Sequence, residues 1–100
     1  MASSKEYLQY ILEQLSDLNE ITYRKMMGEY IIYYHGKIIG GIYDDRLLIK
    51  SLISALDYLS EITYETPYEG AKEMILIKDV DNKDFITGLF KVMYDELSKK

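Results

Sequence analysis

Several residue types are missing or scarce in this chain, and each absence narrows the range of functions. There is no cysteine, which excludes disulfide bonds, thiolate metal sites and cysteine nucleophiles. His35 is the single histidine, and we interpret it as an exposed turn residue instead of a metal ligand or catalytic base. Phosphate-binding loops, dinucleotide-binding glycine fingerprints and serine nucleophile elbows are absent as well. The sequence therefore indicates no enzyme, no metal site and no cofactor.

Long apolar runs are also absent. No segment approaches the length of a membrane span, and the first ten residues lack the apolar stretch of a signal peptide. We therefore expect a cytoplasmic protein that does not associate with membranes. The formal net charge of -5 disfavours direct nucleic-acid binding, because phosphate neutralisation dominates that affinity. A nucleic-acid accessory stays open as an alternative if the chain brings together a local basic patch made of Arg24, Lys25, Lys37, Arg46 and Lys50.

Tyrosine, in contrast, is abundant, with 11 tyrosines against 2 phenylalanines. Tyrosine suits half-buried positions in sheets and interfaces. Between Arg24 and Lys50, three runs of β-branched and aromatic residues are separated by His35-Gly36 and by Asp44-Asp45. Both pairs tolerate the backbone geometry of a two-residue hairpin turn. The pattern predicts a three-strand antiparallel meander.

Two-residue turns fix the register of this meander. Tyr34 is then predicted opposite Lys37, Ile32 opposite Ile39, and Gly40 opposite Ile49. One face is continuously apolar and is interpreted as the core face; it carries Ile31, Tyr33, Ile38, Ile42, Leu47 and Ile49. The other face mixes aromatic, aliphatic and cationic residues, as partner-binding surfaces do. Its predicted partner-binding residues are Tyr30, Ile32, Tyr34, Tyr43, Arg46 and Leu48, and an ordinary solvated face is the alternative interpretation.

Helical periodicity and capping residues predict three helices around this meander. They begin after Ser3 or Ser4, after Ser51, and after Asp81 or Asn82. Further strands are predicted at 21–24 and 73–78. Strands without regular βα alternation predict an α+β fold. We expect a single domain over residues 1–100, with a mostly antiparallel sheet of about five strands and three helices packed mainly on one face.

A second hypothesis concerns the segment that contains the only proline. Residues 67–72, with the sequence PYEGAK, predict a compact turn. A cleft between this turn and the sheet, lined by Arg24, Tyr30, Tyr68 and Lys72, would bind a small molecule or an anion. The simpler alternative is a structural corner in which Tyr68 fills the edge of the core.

Four segments together resemble the TfoX N-terminal domain family. They are RKMMGEY at 24–30, YYHGK at 33–37, DRLLIK at 45–50 and PYEGAKEM at 67–74. The first three are similar to the family's Arg-x-Met-Phe-Gly-Gly, Tyr-x-x-Gly-Lys and Leu-Tyr-Leu-Lys patterns, and the fourth is similar to a segment of short, stand-alone members. Met27, Glu29 and Leu48 depart from the family's Phe, Gly and Tyr.

The resemblance implies an α+β fold akin to small secretion-chaperone domains, and a link to regulators of natural competence. It implies no catalytic residues. The chain stops at Lys100, so we expect the C-terminal domain of the full competence regulators to be absent. The sequence and the resemblance together predict a non-enzymatic regulatory domain that acts by protein–protein contact, either with a protein partner or as a homodimer.

Overall fold

The computed structural model describes residues 3–99, which form three helices and one six-stranded sheet. In chain order the elements are α1 (Lys5–Gln14), β1 (Ile21–Met26), β2 (Glu29–Tyr34), β3 (Lys37–Ile42), β4 (Leu47–Ile49), α2 (Ile53–Tyr58), β5 (Tyr64–Glu65), β6 (Met74–Ile77) and α3 (Lys83–Ser98). Every strand pair is antiparallel, and the strand order is β1-β2-β3-β4-β6-β5. This confirms the predicted α+β fold, with one strand more than expected.

Three tight turns connect the first four strands. The turns at 27–28, 35–36 and 44–45 each place both residues at positive φ, between 51° and 85°. Two consecutive positive φ values define the type I′ turn, whose twist matches that of the flanking strands. The predicted hairpin turns at 35–36 and 44–45 are therefore confirmed. The same geometry explains why glycine, histidine and aspartate are tolerated there.

A β-bulge in β3 changes the predicted register. Tyr34 pairs with Lys37 and Gly40 pairs with Ile49, as expected. Ile32, however, lies opposite Gly40, because Ile39 is an extra residue without a partner on β2. The predicted pairing of Ile32 with Ile39 is wrong, since turn length alone cannot reveal a bulge that lies beyond the turn.

The bulge also reverses the predicted faces of β2. Residues that pair across antiparallel strands share a face, so Ile32 lies on the same side as Gly40 and Ile49. Tyr30, Ile32 and Tyr34 are therefore buried, with relative exposures of 6%, 0% and 8%. These three predicted partner-binding residues therefore lie in the core and not on an accessible face. Ile31 and Tyr33, predicted in the core, are half-buried on the opposite face.

The helices pack on the face that β2 shares with Ile49. Helices α1 and α3 bury apolar stripes against it, made of Leu8 and Ile11 in α1, Leu15 directly after α1, and Ile86, Leu89, Phe90 and Met93 in α3. Ser4 caps α1 by accepting a hydrogen bond from Tyr7 N at 3.1 Å, and Asn82 caps α3 in the same way. Helix α2 begins at Ile53 after Leu52, so the predicted cap at Ser51 is wrong. Within residues 3–99, no helix is both long and apolar enough to cross a bilayer.

Candidate functional site

The opposite face of the sheet, which the helices leave uncovered, is called the outer face below. The pairing places one residue from each of five neighbouring strands in a row across this face: Arg24, Ile31, Gly41, Leu48 and Leu76. A second row contains Tyr33 and, opposite it, Ile38. The outer face therefore carries aliphatic and aromatic side chains at its centre and a cation on the edge strand β1.

The outer face is not equally accessible along these rows. Leu48 is fully buried at 0% exposure, although it lies outside the main core cluster. It was predicted to contact a partner, and its burial contradicts that role. Ile38 is 38% exposed, because the bulge turns it away from the core while its neighbour Ile39 is buried.

A groove of about 490 Å³ lies at one end of the outer face, beneath the Pro67-Tyr68 turn. Volumes of this size are typical of sites for small ligands. The lining combines apolar side chains, two phenols and one carboxylate: Met26, Met27, Glu29, Ile31, Tyr43, Pro67 and Tyr68. Strands β1 and β2 supply three of these residues, the turns that follow β1 and β3 supply Met27 and Tyr43, and the 67–68 segment closes the remaining side.

The predicted cleft residues are only partly brought together. Tyr68 lines the groove, whereas Tyr30 points into the core, where its ring contacts that of Tyr23 at 5.8 Å between centroids. Arg24 lies opposite Ile31 on the outer face but does not line the groove, and Lys72 is exposed on the loop beyond the turn. The structure therefore does not bring these four residues together, because the bulge places Tyr30 on the other face and neither cation belongs to the lining of this groove.

Glu29 is the groove residue that the sequence analysis missed. Its Oε1 accepts hydrogen bonds from Ser3 N at 3.1 Å, Ser3 Oγ at 2.5 Å and Asp44 N at 3.2 Å. The segment before α1 and the 44–45 turn therefore hold this carboxylate in place. One signal was available in the sequence, because Glu29 lies two positions before Ile31 in β2 and so shares its face.

Tyr43 forms the centre of the groove. Its ring lies against Gly41, where an added Cβ would stand 2.8 Å from Tyr43 Cε2. Burial raises the pKa of the Tyr43 phenol above 10.0, and the neighbouring Tyr68 and Glu29 raise it further. Of these two neighbours, Glu29 is the carboxylate, and a negative charge beside the phenol favours positive charge in a ligand.

The predicted basic residues lie in different surroundings. The Arg46 guanidinium forms an ion pair with Glu65 and donates a hydrogen bond from Nε to Tyr43 O at 3.2 Å, so its charge is largely satisfied within the protein. The basic patch is divided, because Lys25 and Lys37 pair with the core-facing Tyr30 and Tyr34, whereas Arg24 lies on the outer face.

The His35 ring stacks against those of Tyr34 and Tyr94, at 4.6 and 5.1 Å between centroids. Among residues 3–99, the structure contains no group of three or more histidine, aspartate and glutamate side chains arranged to hold a metal ion.

Comparison with known proteins agrees with the segments noted in the sequence. Residues 13–82 match the TfoX N-terminal domain family. The chain is also 28% identical over 80 residues to an uncharacterised 12.7 kDa protein from the trpE 5' region of Spirochaeta aurantia, a match that covers 80% of this chain and 70% of that protein. No solved structure matches the chain. Because the family match extends from β1 through β6 and includes every strand of the sheet, the chain belongs to the TfoX N-terminal domain family.

Proposed function

We propose that this protein is a non-enzymatic regulatory domain that binds a partner protein or a second copy of itself through the outer face of the sheet. Membership of the TfoX N-terminal domain family suggests a competence-regulator-like role, and the family is not known for enzymatic activity. The observation that carries the proposal is that the described helices pack on one face and leave apolar side chains exposed on the other.

The composition of the outer face supports this role. An antiparallel sheet that merely faces water places polar residues on its solvated side. Here the exposed side chains include Ile38 and Met26, next to the half-buried Ile31 and Tyr33. Methionine and aromatic residues are enriched at protein interfaces, where methionine adapts its shape to different partners.

The test compares the wild type with Ile38→Glu, which places a charge on the outer face at a site that is 38% exposed. Ile53→Glu is the matched control, because Ile53 is 69% exposed on α2, away from the sheet. Native mass is measured by size-exclusion chromatography with light scattering over a concentration series. If the protein self-associates, we expect Ile38→Glu to shift the equilibrium to monomer and Ile53→Glu to behave as the wild type.

If the wild type is monomeric at all concentrations, the same three proteins serve as baits for partner capture. We then expect a partner that binds the wild type and Ile53→Glu but not Ile38→Glu. The proposal is wrong if Ile38→Glu changes neither the native mass nor the captured partner while it keeps the wild-type melting temperature.

A further inference from the structure

The groove beneath the Pro67-Tyr68 turn has a chemical character that differs from the rest of the outer face. Two phenols, from Tyr43 and Tyr68, stand beside apolar side chains, and Glu29 adds a carboxylate. The electron-rich faces of aromatic rings attract cations, and such rings combined with a carboxylate recognise ammonium groups. We propose that this groove binds an organic cation, in which an ammonium or guanidinium group is carried on an apolar stem.

The charges around the groove fit a cation and oppose an anion. Among residues 3–99, neither lysine nor arginine lines the groove, and the nearby Arg46 forms an ion pair with Glu65. Arg24 is exposed on the edge strand, so water screens its charge. The chain as a whole has a formal net charge of -5.

The carboxylate is already in position before any ligand arrives. Glu29 Oε1 is held by Ser3 and by the backbone of Asp44, so binding a cation would require little ordering of this side chain. A fixed negative charge among apolar and aromatic side chains selects a cation over an anion. An anion would lose its hydration in the groove without gaining a partner.

Met27 at the rim fits the apolar stem of such a ligand. Its side chain is 96% exposed, and its φ is 53°, a conformation that favours asparagine or glycine over methionine. Neither core packing nor turn preference accounts for methionine at this position. A flexible thioether beside Met26 would cover the hydrocarbon part of a bound cation.

The test uses three probes of similar size that carry a positive charge, no charge and a negative charge. They are choline, its neutral carbon isostere with a tert-butyl group in place of trimethylammonium, and the carboxylate of that isostere. Each probe is titrated into the wild type, and binding is followed by amide NMR at the groove residues Ile31, Tyr43 and Tyr68. We expect saturable shifts with choline, binding of the neutral isostere weaker by about tenfold, and no saturable shift with the carboxylate.

Two variants assign the effect to the groove. Glu29→Gln keeps an oxygen that can accept the Ser3 hydrogen bonds but removes the charge, and Tyr68→Leu removes an aromatic ring that is 65% exposed. We expect each to weaken choline binding by about fivefold or more. Tyr10→Leu on α1 is the matched control and should bind choline as the wild type does. If Glu29→Gln lowers the melting temperature, the choline affinity of Tyr68→Leu tests the proposal instead. The Tyr68 side chain is 65% exposed, so its replacement should leave the fold intact.

Several results would overturn the proposal. Equal affinity for choline and the neutral isostere would show that charge has no part in binding. Tighter binding of the carboxylate would give the groove the opposite selectivity, and no saturable shift with any probe would show that it is not a site for this class. Ile38 does not line the groove, so Ile38→Glu should bind choline normally, and the site and the partner-docking surface can each fail independently.

Discussion

Ser3 and Glu29 are 26 positions apart in the sequence, yet the Ser3 hydroxyl lies 2.5 Å from Glu29 Oε1. The same hydroxyl oxygen lies 3.3 Å from Ile42 O and accepts a hydrogen bond from Asp45 N at 3.1 Å. The segment before α1 is thereby attached to the ends of β2, β3 and the 44–45 turn. This small polar cluster fixes the carboxylate that faces the groove, so the stability of the N-terminal segment and the geometry of the site depend on each other.

Replacing Ser3 with alanine tests this attachment. Ser3 is buried, and the change removes the hydroxyl that donates to Glu29 and accepts from the Asp45 amide. The Ser3 and Asp44 amides can still donate to Glu29. We expect Ser3→Ala to lower the free energy of unfolding by about 1 to 3 kcal/mol, measured by urea denaturation. Ser16→Ala, at an exposed position, is the control and should change stability by less than about 0.5 kcal/mol. Equal effects of the two changes would show that the Ser3 cluster contributes nothing.

Gly40, next to the bulge, gives a second test of the architecture. A Cβ at this position would overlap the Leu48 carbonyl oxygen and lie 2.7 Å from the Ile49 Cα. Because backbone atoms cannot move aside as side chains can, Gly40→Ala should destabilise the fold by about 3 kcal/mol or more. Gly36→Ala is the contrast, since a Cβ there meets nothing within 4 Å and only its φ of +78° opposes alanine. We expect a loss of about 1 kcal/mol at Gly36, and similar losses at both sites would contradict the packing argument.

The sequence alone predicts the turns of the meander correctly, but it does not predict which face of β2 is buried. Turn residues at 35–36 and 44–45 predict positive φ directly, because few residues tolerate it, and the structure agrees. The bulge at Ile39 has no comparable signal: Ile38 and Ile39 are identical in type, and only tertiary packing decides which one is buried. One extra residue is enough to reverse β2 and to place Tyr30, Ile32 and Tyr34 on the core face.

For the candidate groove as well, the sequence predicts the local turn but not the strands that surround it. The turn at 67–68 and the participation of Tyr68 follow from local sequence, because proline and glycine mark a compact turn. The other walls depend on which strands lie beneath the turn, and that is decided by the sheet order. Strand β5 has only two residues, too few for any periodicity to indicate it, yet it places the 66–72 loop beside β6.

The burial of Leu48 decides what a charge there would do. Leu48 lies on the outer face, as the sequence register predicts, and at an exposed position Leu48→Glu would disturb only partner binding. In the structure Leu48 is fully buried, so an unpaired carboxylate there should cost several kcal/mol and remove most of the folded population. Ile38→Glu should change the melting temperature little, because Ile38 is partly exposed. A folded, thermally stable Leu48→Glu variant would show that Leu48 is not enclosed on the outer face.

At Met27, a substitution that stabilises the fold should weaken the binding of a cation in the groove. Its left-handed backbone conformation favours asparagine, so Met27→Asn should raise the free energy of unfolding by about 0.5 to 1 kcal/mol. Met27→Val is the opposite control, because a β-branched residue tolerates positive φ poorly and should lower stability. If the groove binds cations as proposed, the stabilised Met27→Asn variant should bind choline more weakly. No difference in stability between the asparagine and valine variants would contradict the strain argument.

Alkaline pH should weaken the fold through two tyrosines. Burial is the main cause that raises the pKa of Tyr7 and of Tyr43 above 10.0, with Asp45 adding to the shift at Tyr7 and Tyr68 to that at Tyr43. The unfolded chain then releases these protons at a lower pH than the folded protein does. The free energy of unfolding should therefore be unaffected below about pH 9 and should fall as the pH rises through 10 towards the raised pKa values.

Phenylalanine variants distinguish the ionisation of these two tyrosines from other effects of alkaline pH on stability. Tyr7→Phe and Tyr43→Phe each remove one ionisable group from the folded interior, so each should lose less stability than the wild type between about pH 9 and pH 11. The double variant should show the smallest loss, because the main cause of each shift is the burial of that tyrosine itself. Urea denaturation across this pH range provides the measurement. Parallel curves for the wild type and the double variant would mean that both phenols ionise as easily in the folded protein as in the unfolded chain.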